Sequence, residues 1–232
     1  MKKINKLFSA FFLFFFASVS LADKQTGLVL FYDEIEQGAG SQTMRYIINN
    51  QFLRIDNGDD KADFILFDVN KSNIYSVNHD DQTILKIENN TWAQPEFDFK
   101  VTTNLSAVND APKIQNKTVY TYQVNANKKT CTKVFLIKDT YMDEMKILHQ
   151  YQQVLSGQQV KTLKNTPEEL QTPCFLIDQV YHSGGYYKVG LPVQISYSRE
   201  YVKFLKDYKK MEFDAALFKL PESYKEYNAF TN

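Results

Sequence analysis

The side chains that could do chemistry are few and scattered. The chain of 232 residues holds three histidines, His79, His149 and His182, and two cysteines, Cys131 and Cys174. His79 falls in the polar turn His-Asp-Asp, where a lone imidazole is simply hydrated. His149 lies in a stretch of helical periodicity without a carboxylate or second histidine at ligand spacing, which points to a structural role. The carboxylates of Asp56-Asn-Gly-Asp-Asp-Lys-Ala-Asp63 invite a calcium loop. Such a loop closes with a glutamate at its twelfth position, and the twelfth residue from Asp56 is Phe67. A hydrated loop is the reading that fits. Gly38-Ala-Gly40 precedes neither a Lys-Ser/Thr pair nor a helix, so it reads as a hairpin turn and not a phosphate loop. No His-Glu-x-x-His, Gly-x-Ser-x-Gly or Cys-x-x-Cys occurs. The expectation is therefore a non-enzymatic protein with no catalytic residue, no metal and no cofactor.

A leader sets the context for the two cysteines. Lys2, Lys3 and Lys6 precede an apolar run from Leu7 to Val19, and Ser20-Leu21-Ala22 forms a small-x-small cleavage site. That is the pattern of a secretory signal peptide over 1–22, its apolar run shorter than the ~20 residues a spanning helix needs. No cysteine follows the site, so a lipid anchor is not expected, and no second long apolar run predicts a transmembrane segment. Basic and acidic residues balance at 27 each. Losing the leader lysines tips the remainder toward acid, with no basic stripe for nucleic acid. The expected product is a periplasmic monomer with one domain over 23–232. Two cysteines in an exported chain suggest a Cys131–Cys174 disulfide, two separate buried thiols being the alternative. Closing a loop of that length would stabilise the fold by about 4 kcal/mol in the chain-entropy model.

The elements that must position these groups begin with strands. Thr26–Ile35 reads as the first. Then Ser41–Glu88 holds short runs rich in β-branched and aromatic residues, broken by Asn, Asp, Gly and Ser: an antiparallel meander. Alternation places Met44, Tyr46 and Ile48 on one side of their strand, and Leu53 and Ile55 opposite Phe52, Arg54 and Asp56 on the next. Phe64–Asp68 is apolar at consecutive positions, as for a strand covered on both faces. Ile74–Asn78 and Thr83–Glu88 form a further hairpin. Loops and weaker strands are expected around Trp92, Pro95 and Pro112, with Phe97–Val101 alternating as a strand. Thr118–Val124 and Cys131–Ile137 make another hairpin.

The period then changes. Met142, Met145, Ile147, Leu148, Tyr151, Leu155 and Val160 recur at helical spacing over Asp139–Leu163, with Asp139 or Thr140 as the cap. Thr166-Pro167 predicts the cap and first residue of a second helix, which the run from Thr172-Pro173 to His182 either continues or restarts and Ser183-Gly-Gly185 ends. Cys174 would then staple helix to sheet. Strand periodicity returns from Tyr186, with Pro192 at an edge or a bulge.

Three of these runs, Asn49-Asn-Gln-Phe-Leu-Arg-Ile-Asp56, Phe64-Ile-Leu-Phe-Asp68 and Ile74-Tyr-Ser-Val-Asn78, resemble the core strands of the outer-membrane lipoprotein carrier superfamily. Phe218-Lys-Leu-Pro-Glu-Ser-Tyr224 is similar to the close of related periplasmic domains of unknown function. Asn49-Asn50 stands where the carriers have Arg-Pro, and Val69 where they usually have Gly, while Arg54 matches their Phe-Arg strand. The resemblance implies an α+β fold: a curved antiparallel half-barrel with two or three helices on its concave face. It also implies a sheet–helix cavity for an apolar, acyl-containing ligand, with lipid or an acylated protein as partner. Candidate lining residues are Met44, Tyr46, Ile48, Leu66, Tyr75 and Val77, with Arg54 added by the resemblance. A filled core would carry the same pattern. The alternative function is a structural or protein–protein interaction module of the envelope.

Overall fold

In a computed structural model the described residues are 23–229, except 37, 39, 91, 92, 94, 199 and 200. The expected signal peptide, Trp92 and Ala39 of the Gly38–Gly40 turn lie outside them. Twelve strands form one sheet: β1 (Lys24–Glu36), β2 (Gly40–Ile48), β3 (Phe52–Asp56), β4 (Phe64–Asp68), β5 (Asn73–Asn78), β6 (Thr83–Ile87), β7 (Val101–Ala107), β8 (Val119–Ala126), β9 (Lys129–Lys138), β10 (Gly190–Tyr197), β11 (Tyr201–Asp214) and β12 (Lys225–Asn228). The spatial order is β12-β6-β5-β4-β3-β2-β1-β11-β10-β9-β8-β7. Among the described residues every pairing is antiparallel except that of β12 with β6, and the sheet does not close. Strands β1 to β6 follow one another as hairpins, β9 and β10 on the other side pair across the helical segment between them, and β1 against β11 joins the two halves.

The sheet is covered on both sides, so its central strands read as continuous apolar runs rather than clean alternations. On one side, α1 (Met142–Leu163) lies across it. Met145, Leu148, Tyr151 and Val154 recur every three residues along its inner stripe, each side chain contributing about 1.5–3 kcal/mol on burial. The helix starts over β11, where Glu144 pairs with Lys210 at 3.1 Å, and reaches β4, where Tyr151 meets Phe67 edge-on. On the other side, a 3₁₀ turn at Ala215–Phe218 and the following chain cover a second core of Val29, Ile47, Phe64, Leu66, Tyr75 and Val77.

Several local expectations are corrected. Neither Asp139 nor Thr140 caps α1. Tyr141 takes that position in a left-handed conformation without a side-chain cap, and Thr140 Oγ1 turns to Lys138 O. The first Thr-Pro pair leads only to a 3₁₀ turn (Glu168–Leu170), and the second restarts the helix: Thr172 Oγ1 accepts from Phe175 N, and Pro173 opens the short α2 (Pro173–Leu176). Thr166 instead hydrogen-bonds back to Thr162 O, so its hydroxyl is spent on closing α1. After α2 come a π turn (Ile177–Tyr181) and a 3₁₀ turn (Gly185–Lys188). Phe97–Phe99 is not strand. Both rings pack on Tyr181 of the helical layer, which draws the segment off the sheet, and β7 begins only at Val101. Pro192 lies at a bulge between β10 and β9, and Tyr32 donates to its carbonyl at 2.9 Å.

Cys131 and Cys174 are bonded, with their Cα atoms 4.9 Å apart, and join β9 to α2. Replacing both by serine is expected to lower unfolding free energy by about 2–4 kcal/mol in urea titrations. An unchanged midpoint would mean that the bridge constrains nothing the strands do not already hold.

Candidate functional site

The strand register decides which of the proposed lining residues can share a site. Across β2 to β5, Tyr46, Ile55, Ile65 and Ser76 stand side by side and face the helix. The neighbouring row, Ile47, Arg54, Leu66 and Tyr75, faces the opposite side. Met44, Tyr46 and Ile48 thus belong to the helix side, while Arg54, Leu66, Tyr75 and Val77 have their side chains in the core beneath the C-terminal segment. The seven residues do not line one cavity. Ile48 is fully buried in the helix-side core, and Leu66 and Tyr75 are buried in the other.

What the helix side does offer is a groove. α1 covers the row of Leu53, Phe67 and Ile74 but not the ends of β2 to β5. There a depression of about 550 Å³ has Met44, Ile55 and Ile65 as its apolar floor and Asn57, Lys61, Asp63, Asn78 and Asp80 on its rim. Val77 borders it. The rim is fixed by the loop's own carboxylates and amides. Gly58 N donates to Asp56, Asp59 N to Asn57 Oδ1 and Lys61 N to Asp59 Oδ1. Asp63 accepts from His79 N at 2.7 Å and Asn78 Nδ2 at 3.2 Å, tying the loop to the next hairpin. His79 Nδ1 meets Tyr224 Oη at 2.8 Å, so its imidazole is more than hydrated: it fastens the C-terminal segment. Among the described residues no cluster of His, Cys, Asp or Glu could hold a metal ion.

Arg54 is committed elsewhere. Its Nε donates to Asp56 at 2.6 Å, its other nitrogens to the carbonyls of Leu217 and Asp60, and its guanidinium stacks 3.8 Å above Phe64. Asp56 also accepts from Nε and Nη2 of Arg45, each at 2.8 Å. Burial pushes the Asp56 carboxyl up, but the two guanidiniums and Gly58 N–H outweigh it and hold the carboxyl below its ordinary value. Arg54 and Asp56 are thus a clamp under the C-terminal segment. Arg54 also borders a second depression, of about 650 Å³, with Phe64, His79, Leu217, Lys219 and Pro221.

One cluster on the helix side escaped sequence reasoning. Glu34 on β1 and Lys203 on β11 stand opposite each other in register and pair at 2.9 Å, with Lys203 only 7% exposed. Tyr46 donates to Glu34 Oε1 at 2.8 Å and Tyr201 to Oε2 at 2.6 Å, while Lys203 donates to Tyr46 Oη. The ammonium also lies over the rings of Tyr46 and Tyr32. Burial drives Lys203 downward against the pull of Glu34. Burial would raise Glu34, but Lys203 and the two phenols hold it below the usual carboxylate range. Desolvation likewise raises Tyr46 well above a free phenol. The hydroxyl of Tyr46 therefore serves this ion pair and not a ligand. The available signal was parity: Glu34 shares the inward side of Leu28, Leu30 and Tyr32.

No family model matches the chain, and no curated protein matches it. Two solved structures, "Structure of PNGF-II in C2 space group" and "Structure of PNGF-II in P21 space group", align with TM-scores of 0.43 and 0.42 and identities of 11% and 14%. Each alignment covers 88% of this chain, which spans about a third of theirs, 31% and 32%. Similarity of that degree assigns neither a fold family nor an activity.

Asp56→Asn is expected to cost about 3 kcal/mol at pH 7, because it leaves the buried Arg54 guanidinium without its anion and Arg45 with Asp60 alone. The folded carboxyl titrates below the ~3.9 of an unfolded aspartate, so its stabilisation is complete above that pH and lost on acidification through the folded value. Urea titrations at several pH values should show the variant and the parent converging below about pH 4. A constant gap down to strong acid would contradict this.

Proposed function

We propose that the chain is an exported, non-enzymatic protein of the periplasm and a divergent relative of the lipoprotein carrier superfamily, holding an acyl-containing ligand against the helix side of its sheet. In this reading the leader over 1–22 is cleaved, the sheet curves as a half-barrel, and the helices lie on its concave face. The observation that carries the proposal is the groove over β2 to β5. Its ~550 Å³ is in the range of small-molecule sites, and an apolar floor beside a polar rim suits an acyl chain bearing a polar head. Asp63, Asn78 and His79 on that rim are held in hydrogen bonds to one another and to Tyr224, which supports holding a ligand over transforming it. The ligand, free lipid or the acyl group of a protein, would lie one row along from where α1 seals the core.

A second reading, an interaction module of the envelope, is favoured by β7. This edge strand, Val-Thr-Thr-Asn-Leu-Ser-Ala, is uncharged, pairs only with β8 and is exposed from Thr103 onward. Its outer backbone groups are a template for an added strand.

Organic extraction of the chain purified from periplasm, followed by mass spectrometry, is expected to yield acyl species in near-equal amount to protein. Met44→Trp and Ile65→Trp, which fill the groove from its floor, should reduce that yield about tenfold or more while circular dichroism stays unchanged. An empty protein that cross-links to a stable partner through β7 would favour the second reading instead.

A further inference from the structure

The segment Pro173–Lys188 is fastened by different means at its two ends. At its start Cys174 is bonded to Cys131, and Asp178 accepts a hydrogen bond from Thr132 on β9. At its end the turn Ser183–Gly185 lies against α1. Ser183 Oγ donates to Gln152 Oε1 at 2.9 Å, and Gln153 Nε2 donates to Ser183 O at 3.3 Å. Gly184 is left-handed (φ 65°), and a Cβ there would stand 2.8 Å from Gln152 Cβ, so the turn and helix touch without slack.

Two half-buried imidazoles sit at this second end, His149 on α1 and His182 on the segment. The Nδ1 atom of each is buried without a hydrogen-bond partner. A Cβ on Gly185 would lie 2.8 Å from His182 Nδ1, and the Gly184 backbone hydrogen-bonds to His149. The charge acting on both rings is Lys188. The carboxylates of α1, Asp143 and Glu144, are in its first turn, and Glu144 is paired with Lys210. Its lysines, Lys146 and Lys161, are cations too, and the lysines of β9 (Lys129, Lys133 and Lys138) are exposed. Asp178, the segment's one carboxylate, is engaged toward the sheet, and from β8 the neighbouring titratable group is the Tyr122 phenol. Among the described residues no ion pair includes either imidazole. A proton on either ring therefore adds a cation beside Lys188 with no anion to receive it.

We propose that protonation of His149 and His182 frees the Ser183–Lys188 end of this segment from α1, making it an acid-opened flap that the disulfide keeps tethered. Opening uncovers the sheet beneath Tyr186 and Tyr187, both buried when the flap is closed. Burial first, and then Lys188, hold both imidazoles below the usual histidine value, at His149 outweighing the Gly184 backbone hydrogen bond, which acts the other way. Their contribution to closure is therefore complete above the ~6.5 of an unfolded histidine and lost as pH falls through the lower folded values. The device stands apart from the binding proposal, since it depends on nothing the groove holds.

Hydrogen exchange of the full chain at pH 7.5 and pH 5, corrected for intrinsic rates, reads it directly. Protection over 183–188 should fall about tenfold or more at pH 5, while that of β1 and β11 holds. His149→Gln with His182→Gln should remove this difference, and if the pair does not fold, His182→Asn alone should reduce it. Protection that is unchanged at pH 5, that is lost evenly across the sheet, or that retains its pH dependence in the variants would each overturn the proposal.

Discussion

The pairing of β1 with β11 is the constraint on which the molecule rests. The strands β2 to β6 form one run of local hairpins, β7 to β10 form a second group in which β9 and β10 pair across the intervening helical segment, and only this long antiparallel ladder, from Lys24 opposite Asp214 to Glu36 opposite Tyr201, makes them one sheet. It brings together residues near the two ends of the described chain, so its closure entropy must be recovered from what the joined sheet buries. Both faces contribute. Leu28, Leu30 and Tyr32 go down toward α1 as Val29 goes up beneath the C-terminal segment.

A sheet buried on two sides leaves no water for inward-facing charge, and each face answers with a closed polar network. On the helix side Glu34 and Lys203 bridge the β1–β11 ladder itself, with two phenols taking the remaining carboxylate valence. On the far side Arg45 and Arg54 share Asp56, and Arg54 reaches on to Leu217 O, so the clamp also fixes the segment that covers it. Removing one member of either network leaves an uncompensated charge, which is why such clusters position chain rather than add net stability. The groove is the consequence of where cover stops. α1 runs from β11 to β4 and leaves Met44, Ile55 and Ile65 with a floor but no lid.

Much of the architecture was legible because hydrophobic period is a local property. The meander, the helix after Asp139 and the Cys131–Cys174 staple could be expected from residue spacing and from the even number of cysteines. What failed needed information from beyond the local window. Two Thr-Pro pairs, at 166 and 172, carry the same start signal, and the choice went to the one whose hydroxyl was not already turned back to α1. Phe97 and Phe99 alternate like a strand but were claimed by Tyr181 across the fold. The lining set failed for a subtler reason. Alternation fixes sides within a strand, yet relating one strand's sides to the next requires the register across each turn, and a one-residue slip exchanges the faces. Tyr46 and Leu66 were grouped although they point to opposite sides. The Glu34–Lys203 pair was invisible because no local pattern links residues so far apart, although an acid at the inward parity of Leu30 and Tyr32 marks a need for a partner.

A double-mutant cycle across the central ladder tests this account most directly. Glu34→Leu, Lys203→Met and the double substitution would be compared with the parent by urea unfolding. A pair that bridges two halves of one cooperative sheet predicts single transitions throughout, each single change costing about 3 kcal/mol or more and the double change far less than their sum. Additive losses, or two separate transitions in the parent, would show that the halves fold independently and that this junction does not hold them together.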